Sequence, residues 1–539
     1  MQRASFFGLE IGRTGLTTAQ FGLDVTGHNI SNLDTEGYTR QRIVSTAYDP
    51  FSTIGRFAPI SNATVGGGVR VQILDQIRSA YLDRRFRDES NMHAYYETRS
   101  QSLTYIQSFF DNVNEKTSIN HSLSEFFKAM KIIAEDPVAG APRTLMQTAG
   151  MDLVQQLNMI YDGLLDFQKI ENRAVETKVD DINRITKNIA ELNVAIYTFE
   201  LTGIIANDLR DKRNLLMDQL SEFIDIEYNE YMDPYGHSML EIRTAGGTLV
   251  DHDWPAFPTP PVDVLGVREV PNVLEGEDPV WEVYWINSDE ELDFNLIKGG
   301  QLKAHINMRD GLGGTVDSRD KGIPYYLEMI NDLARALLQE VNEVHTQGWS
   351  DNPEGSETGI HFFAIVIGQD ADGNDIIANI EDPGDLHLVT ARNITLSQMI
   401  RDSAYNIAAS DKEIGRAGEA DPIELQRANN KNMLELYKIF EKTTITVDGR
   451  QIGSLDEYAT TIRFDVGKTL YTTNQSKETS RVLTLASLNQ KTAIAGVSLD
   501  EEMVGLVRYN HAYNGAARVI TAMDDALDRL INGTGRVGL

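Results

Sequence analysis

The sequence predicts a mainly α-helical protein with β insertions: a coiled coil of the two terminal helices, a central rod of bundled long helices, and small β-rich outer segments. Three observations predict this class. Apolar residues repeat every seven positions at both ends, stripes of helical spacing recur in the middle, and two stretches alternate like strands. With 539 residues, 41% of them hydrophobic, the chain is long enough for several domains.

The first helix, predicted over residues 7–32, has large residues at one heptad position and small residues at another. The large residues recur every seven positions: Leu9, Leu16, Leu23 and Ile30. Small residues follow each leucine by three positions: Gly12, Ala19 and Thr26. Five glycines lie in the segment: Gly8, Gly12, Gly15, Gly22 and Gly27. Because each glycine costs about 1 kcal/mol against alanine in a helix interior, this helix needs a packing partner.

The C-terminal helix offers that partner. Ser498 and Glu501 have capping-box spacing, and Gly533 is a plausible stop. One heptad line then runs for five repeats: Leu499, Leu506, Tyr513, Ile520 and Leu527. A companion line follows four positions later: Met503, Asn510, Ala517, Asp524 and Ile531. Either helix alone could simply cover a globular core, but stripes at both termini favour a coiled coil.

The middle of the chain contains further helices and two strand-rich stretches. Apolar stripes predict helices over 182–196 and 330–344, and Ser454 with Glu457 opens a polar helix to about Gln490. Strands are expected in 224–250, at 281–286, and in 362–390 around the Asp372-Gly373-Asn374 turn. Asp233-Pro234 marks another turn, and four prolines over 255–261 mark an irregular crossing.

These elements predict four domains. Residues 1–45 with 491–539 form the terminal coiled-coil assembly domain. Residues 46–223, 299–361 and 393–490 form the helical rod, with a β-rich insertion at 224–298 and a short β insertion at 362–392.

Composition excludes several classes of function. The net charge of −31 argues against nucleic acid, since phosphate binding needs a local basic excess. The absence of cysteine excludes disulfides and thiolate metal ligands. Glu10 and Arg13 interrupt the stretch where a signal peptide would be apolar, and the longest apolar run, 362–367, is too short for membrane insertion.

No catalytic, cofactor-binding or metal site is predicted. The ten histidines show no HExxH spacing, and there is no phosphate-binding loop. Asp370, Asp372, Asn374 and Glu381 partly follow a calcium loop, but Asp375 stands where that loop needs glycine, so a tight hairpin explains them better. We therefore expect a protein that is not an enzyme.

Four segments carry a family resemblance. The N-terminal helix leads into NISNLDTEGYTRQR, residues 29–42, which resembles the N-terminal motif of bacterial flagellar rod, hook and hook-associated proteins. Three others resemble the hook-associated protein 1 (FlgK) family: DLRDKRNLLMDQL at 208–220, NEVHTQGW to HFFAI at 342–365, and GVSLDEEMVGLVR at 496–508. They follow the family's order along the chain.

The resemblance implies an extracellular structural subunit of the flagellum. It would form a ring of identical subunits at the hook–filament junction, next to the hook protein and a second junction protein, and filament attachment would require it. Export without a cleaved signal peptide and an export chaperone are implied as well. One departure is the short stretch between Phe363 and Asn393, where the family often has a larger β domain.

Assembly residues are predicted at both ends. The N-terminal set, whose side chains we expect to act between subunits, is Leu9, Leu16, Leu23, Asn29, Ile30, Ser31, Asn32, Gly37 and Tyr38. The C-terminal set, which we also expect to bind the chaperone, is Leu499, Met503, Leu506, Tyr513, Ile520 and Leu527. The alternatives are another axial subunit, hook or distal rod, and a secreted hydrolase using carboxylates of the β insertions.

Overall fold

The computed structural model describes residues 7–48, 66–110, 118–232, 238–251, 264–314, 320–353, 355–370, 373–415, 422–447 and 450–532. The helices are α1 Phe7–Ser31, α2 Ala80–Phe110, α3 Ile119–Glu135, α4 Gly140–Glu200, α5 Asn207–Phe223, α6 Gln301–Asp310, α7 Ile323–His345, α8 Gln398–Asp402, α9 Ile423–Arg427, α10 Lys431–Lys438, α11 Leu455–Ala495 and α12 Leu499–Asn532. Short 3-10 turns cover Pro383–Leu388, Ala404–Asn406 and Ile439–Glu441.

In the ranges that the structure describes, the strands are short and pair in antiparallel fashion. They are β1 Gln41–Ala47, β2 Val69–Gln76, β3 Glu227–Met232, β4 Ser238–Thr244, β5 Gly247–Val250, β6 Leu265–Val270, β7 Val280–Trp285, β8 Phe363–Gln369, β9 Asp375–Ala378, β10 Ile394–Leu396, β11 Ile445–Val447 and β12 Arg450–Gly453. Their sheets are β1–β2, β3–β4–β5, β6–β7, β10–β8–β9 and β11–β12. The predicted class, mainly α with β insertions, is confirmed.

Helix α4 connects two hydrophobic cores. Its 61 residues correspond to about 90 Å at 1.5 Å per residue. The first half contributes Leu153 and Leu164 to a core formed with α3, α7 and the start of α11. The second half contributes Ile182 and Ile189 to a core formed with α5 and strands β4–β7. The helix thus joins the helical rod to the strands of 224–298.

Several local predictions are confirmed. Ser454 and Glu457 form the capping box of α11, which runs past Gln490 to Ala495. The Gly373 turn joins β8 to β9, with a φ of 84° and the Asn374 amide donating to the Asp370 side chain. The predicted Asp233-Pro234 turn, the prolines of 255–261, Asp372 and the Gly533 stop lie outside the described residues.

The terminal helices pair, as predicted, and the structure shows that they run antiparallel. Gly8 lies opposite Met523, Gly12 opposite Ile520, and Gly22 opposite Tyr509, so the register advances evenly along both helices. The β1–β2 hairpin packs on α1 and connects this pair to the rest of the chain. Along the described ranges, no helix combines the length and apolarity that a membrane span requires.

Candidate assembly interface

The glycines of α1 allow close approach of α12. A Cβ at Gly8 would lie 2.7 Å from the Met523 sulfur, and a Cβ at Gly22 would lie 2.5 Å from the Tyr509 ring. Both distances are shorter than van der Waals contact. These glycines therefore cost intrinsic helix stability but leave room for two bulky side chains of the partner helix.

The packing line on α12 differs from the predicted companion line. Met503 is 49% exposed and Ile531 is 67% exposed. The residues that instead meet α1 lie three positions after the leucine line: Glu502, Tyr509, Ala516 and Met523. The physical reason is that α1 presents small residues to its partner, so the long and aromatic side chains of α12 point there.

The heptad positions of α1 that carry large residues lie beside this contact. The small residues are buried: Gly12, Ala19, Gly22 and Thr26. The predicted assembly residues of the large line are only partly buried: Leu9, Leu16, Leu23 and Ile30. In α12, Leu506, Tyr513, Ile520 and Leu527 are likewise partly buried, whereas Leu499 is 48% exposed.

The side chain of Asn29 makes four hydrogen bonds. Its side-chain amide donates to the Gln41 carbonyl at 2.9 Å and to a Glu502 carboxylate oxygen at 3.2 Å. Its side-chain oxygen accepts from the Gln41 amide at 3.1 Å and from the Tyr38 hydroxyl at 2.8 Å. With 1% exposure, Asn29 uses both donors and both acceptor positions within its own chain.

Arg40 binds the same motif to the start of α12. Its guanidinium pairs with Glu501 and donates to Glu502 at 2.7 Å, and its backbone amide donates to the Ala495 carbonyl at 2.8 Å. Glu502 is 4% exposed. A buried carboxylate requires such partners, and Arg40 and Asn29 supply them from two sides.

A third segment, the start of α5, completes the arrangement. The Thr39 amide donates to Asp211 at 3.0 Å, and the Gln41 side chain donates to Asp208 at 3.0 Å. Gln76 of β2 also donates to Asp211, at 2.9 Å. Burial raises the pKa of Asp211, although the bonds from Thr39 lower it. We call Asn29, Arg40, Gln41, Asp211 and Glu502 the polar cluster.

Tyr38 and Gly37 shape the turn beside the polar cluster. Burial, together with Asp208, Asp211 and Glu502, raises the pKa of Tyr38, so its hydroxyl stays a donor at physiological pH. Gly37 has a φ of 76°, and a Cβ there would lie 3.2 Å from Leu215. A side chain at position 37 would therefore be strained both by its backbone angle and by α5.

Asn32 and Ser31 have a more local role. The Asn32 side chain donates to the His28 carbonyl at 3.0 Å, and the Ser31 hydroxyl donates to the Gly27 carbonyl at 2.9 Å. Both bonds stay within the last turns of α1. In the monomer the polar side-chain groups of Asn29 and Tyr38 bond within the chain, and their action between subunits stays a prediction.

Sequence reasoning missed Asp211, Gln76 and Glu502 in the network around the motif, and it missed Tyr509 as the residue that packs on Gly22. Asp211 and Glu502 lie within the 208–220 and 496–508 segments, so their position in distinctive motifs was an available signal. Gln76 and Tyr509 have no local pattern that indicates their role. In the ranges that the structure describes, no group of three or more histidine and carboxylate side chains is arranged to hold a metal ion.

Three family models match this chain. Residues 103–363 match the flagellar hook-associated protein FlgK helical domain, residues 491–533 the flagellar basal body rod FlgEFG protein C-terminal model, and residues 9–39 the flagella basal body rod protein model. The flagellar hook-associated protein 1 of Bacillus subtilis (strain 168) is 26% identical over 552 residues, covering 99% of each chain. These matches support the FlgK family.

Other relatives agree with this assignment. Flagellar hook-associated protein 1 of Salmonella typhimurium is 24% identical over 586 residues, covering 96% of this chain and 98% of that protein. The solved structure of the flagellar hook junction protein FlgK from Burkholderia pseudomallei shares the fold at 12% identity. Its TM-score is 0.54, and the match covers 77% of this chain and all of that one. This FlgK-family chain is a structural protein of the flagellum rather than an enzyme.

Proposed function

We propose that this FlgK-family chain forms the ring of identical subunits between the flagellar hook and filament, outside the cell, and that filament attachment requires it. The observation that carries the proposal is the polar cluster. It joins α1, α5 and α12 in one chain, with Asn29 and Glu502 lying 473 residues apart. An axial subunit needs such a connection, because force on its terminal helices must reach the rod.

The exposed side of the terminal pair also supports self-assembly. Within α12 only Glu502 is buried, and several apolar side chains are substantially exposed: Leu499, Met503, Val504, Val507, Val519, Leu530 and Ile531. A stripe of this length on a monomer is typical of a surface that another protein covers. Identical neighbours in a ring would cover it.

The names of the relatives support a location at the hook. One relative is a flagellar hook-associated protein, and the solved structure is of a flagellar hook junction protein. We therefore propose the hook protein and a second junction protein as neighbours above and below the ring. We further propose export without a cleaved signal peptide, with a chaperone that covers residues 499–527 before assembly.

Electron microscopy of cells lacking the gene tests this function. We expect complete hooks and detached filaments, with attachment restored by the intact gene. Absent or truncated hooks would instead favour a hook or distal-rod subunit, the remaining alternative. Antibody labelling of the intact flagellum gives an independent readout, since a junction ring would be labelled at one point between hook and filament.

A further inference from the structure

An apolar groove with an acidic rim lies beside the terminal pair. It is formed by the outer side of α1 and the turn between α4 and α5, with a volume of about 530 Å³. Phe21, Phe199 and Ile204 line it and are 37%, 47% and 59% exposed. Asp24 and Asp208 are its charged lining residues, without a lysine or arginine among the described residues that line it. We call it the acidic groove.

The outer side of α12 has the complementary chemistry. Residues 504–522 include Arg508 and Arg518 but no aspartate or glutamate, although the whole chain carries a net charge of −31. Val504 and Val507 project from this side, 69% and 51% exposed. We call residues 504–522 the basic band. It is an apolar ridge flanked by positive charge, over about 28 Å of helix.

The band and the groove of one chain face different ways. Gly22 of α1 contacts Tyr509 of α12, whereas the preceding residue, Phe21, lines the acidic groove. Val507 is two residues from Tyr509 and is exposed. No α12 residue is among the described residues that line the groove, so the basic band of a chain does not occupy its own acidic groove.

We infer that the basic band of one copy, around Val504 and Val507, docks in the acidic groove of the neighbouring copy. The inference rests on the proposed ring function and identifies one contact within it. Apolar ridge meets apolar groove, and Arg508 meets the carboxylates of the rim. The contact is heterologous, so repetition with a rotation closes a ring or continues as a helix.

Cysteine cross-linking tests the contact directly, because the natural chain has no cysteine. Two tagged versions, Ile204→Cys and Val507→Cys, are expressed together in cells lacking the natural gene, and their flagella are isolated and mildly oxidised. Each chain then has one thiol, so any disulfide joins two chains. We expect a dimer containing both tags. The matched control replaces Val507→Cys with Ser124→Cys, at an exposed position of α3.

The outcomes separate this inference from the proposed function. Dimers at least tenfold more abundant for the 204–507 pair than for the 204–124 pair would support the docking. Filaments retained with both chains in the flagella, but with no excess dimer, would overturn the docking and leave the ring function standing. If the chains are not found in the isolated flagella even without any disulfide, that result would instead count against the ring function. A second pair of variants tests the charge pairing. Asp24→Arg alone should lose filament retention, and Asp24→Arg combined with Arg508→Asp should regain it; equal loss in both would contradict the charge pairing.

Discussion

Replacing Asn29 with aspartate tests whether the polar cluster holds the terminal pair to the rod. The change keeps the size of the side chain and both accepting bonds, from Gln41 and Tyr38. It removes the donations to the Gln41 carbonyl and to Glu502. An unsatisfied buried carbonyl costs about 1–3 kcal/mol, and a second carboxylate beside Glu502 adds repulsion. We expect the free energy of opening the α1–α12 pair to fall by about 3–5 kcal/mol.

Hydrogen exchange of the amides in α1 and α12 measures that opening free energy. The matched control is Asn32→Asp, which adds the same charge to the same helix end but removes only a donation within the last turn. It should cost less than about 1 kcal/mol. Adding Glu502→Gln to the Asn29→Asp variant returns an amide donor and should recover part of the loss. Equal effects at positions 29 and 32, or no recovery, would refute the role assigned to Asn29.

Three further predictions concern the α1 glycines, the core histidine and the C-terminal helix. Gly22→Ala should weaken the terminal pair, because its Cβ would lie 2.5 Å from the Tyr509 ring. Gly27→Ala should instead stabilise α1 by about 1 kcal/mol, because nothing lies within 4 Å of its Cβ. Hydrogen exchange that shows the opposite order of stability for the two variants would contradict the packing. The His345 ring forms hydrogen bonds with the Ile360 carbonyl and the Ala408 amide, and burial lowers the pKa of His345 to about 4. The free energy of unfolding should therefore fall by about 3 kcal/mol as the pH is lowered from above 6.5 towards 4. Chemical denaturation across that range should show a smaller loss for His345→Gln, and an unchanged loss would exclude His345 as its source. Deleting residues 499–539 should abolish recovery of the export chaperone in a pull-down, and retained binding would place the chaperone site elsewhere.

The sequence by itself determined several of the long helices and the pairing of the termini. A heptad stripe and a capping box are local patterns, since residues seven apart lie on one side of a helix and a cap involves four consecutive residues. Glycines in α1 indicated a helix that needs a partner, and α12 is that partner. The hairpin at Gly373 was equally local, because a positive φ is what a tight turn requires.

Only the tertiary structure decided which line of α12 faces α1 and where the N-terminal motif directs its polar groups. The facing line depends on the residues that the partner helix presents, and α1 presents glycine, so Tyr509 and Met523 pack where Asn510 and Asp524 were expected. The polar cluster joins residues as far apart as Asn29 and Glu502, and no spacing rule connects positions separated by 473 residues. A buried amide and a buried carboxylate identify their partners only when the fold has removed water from both.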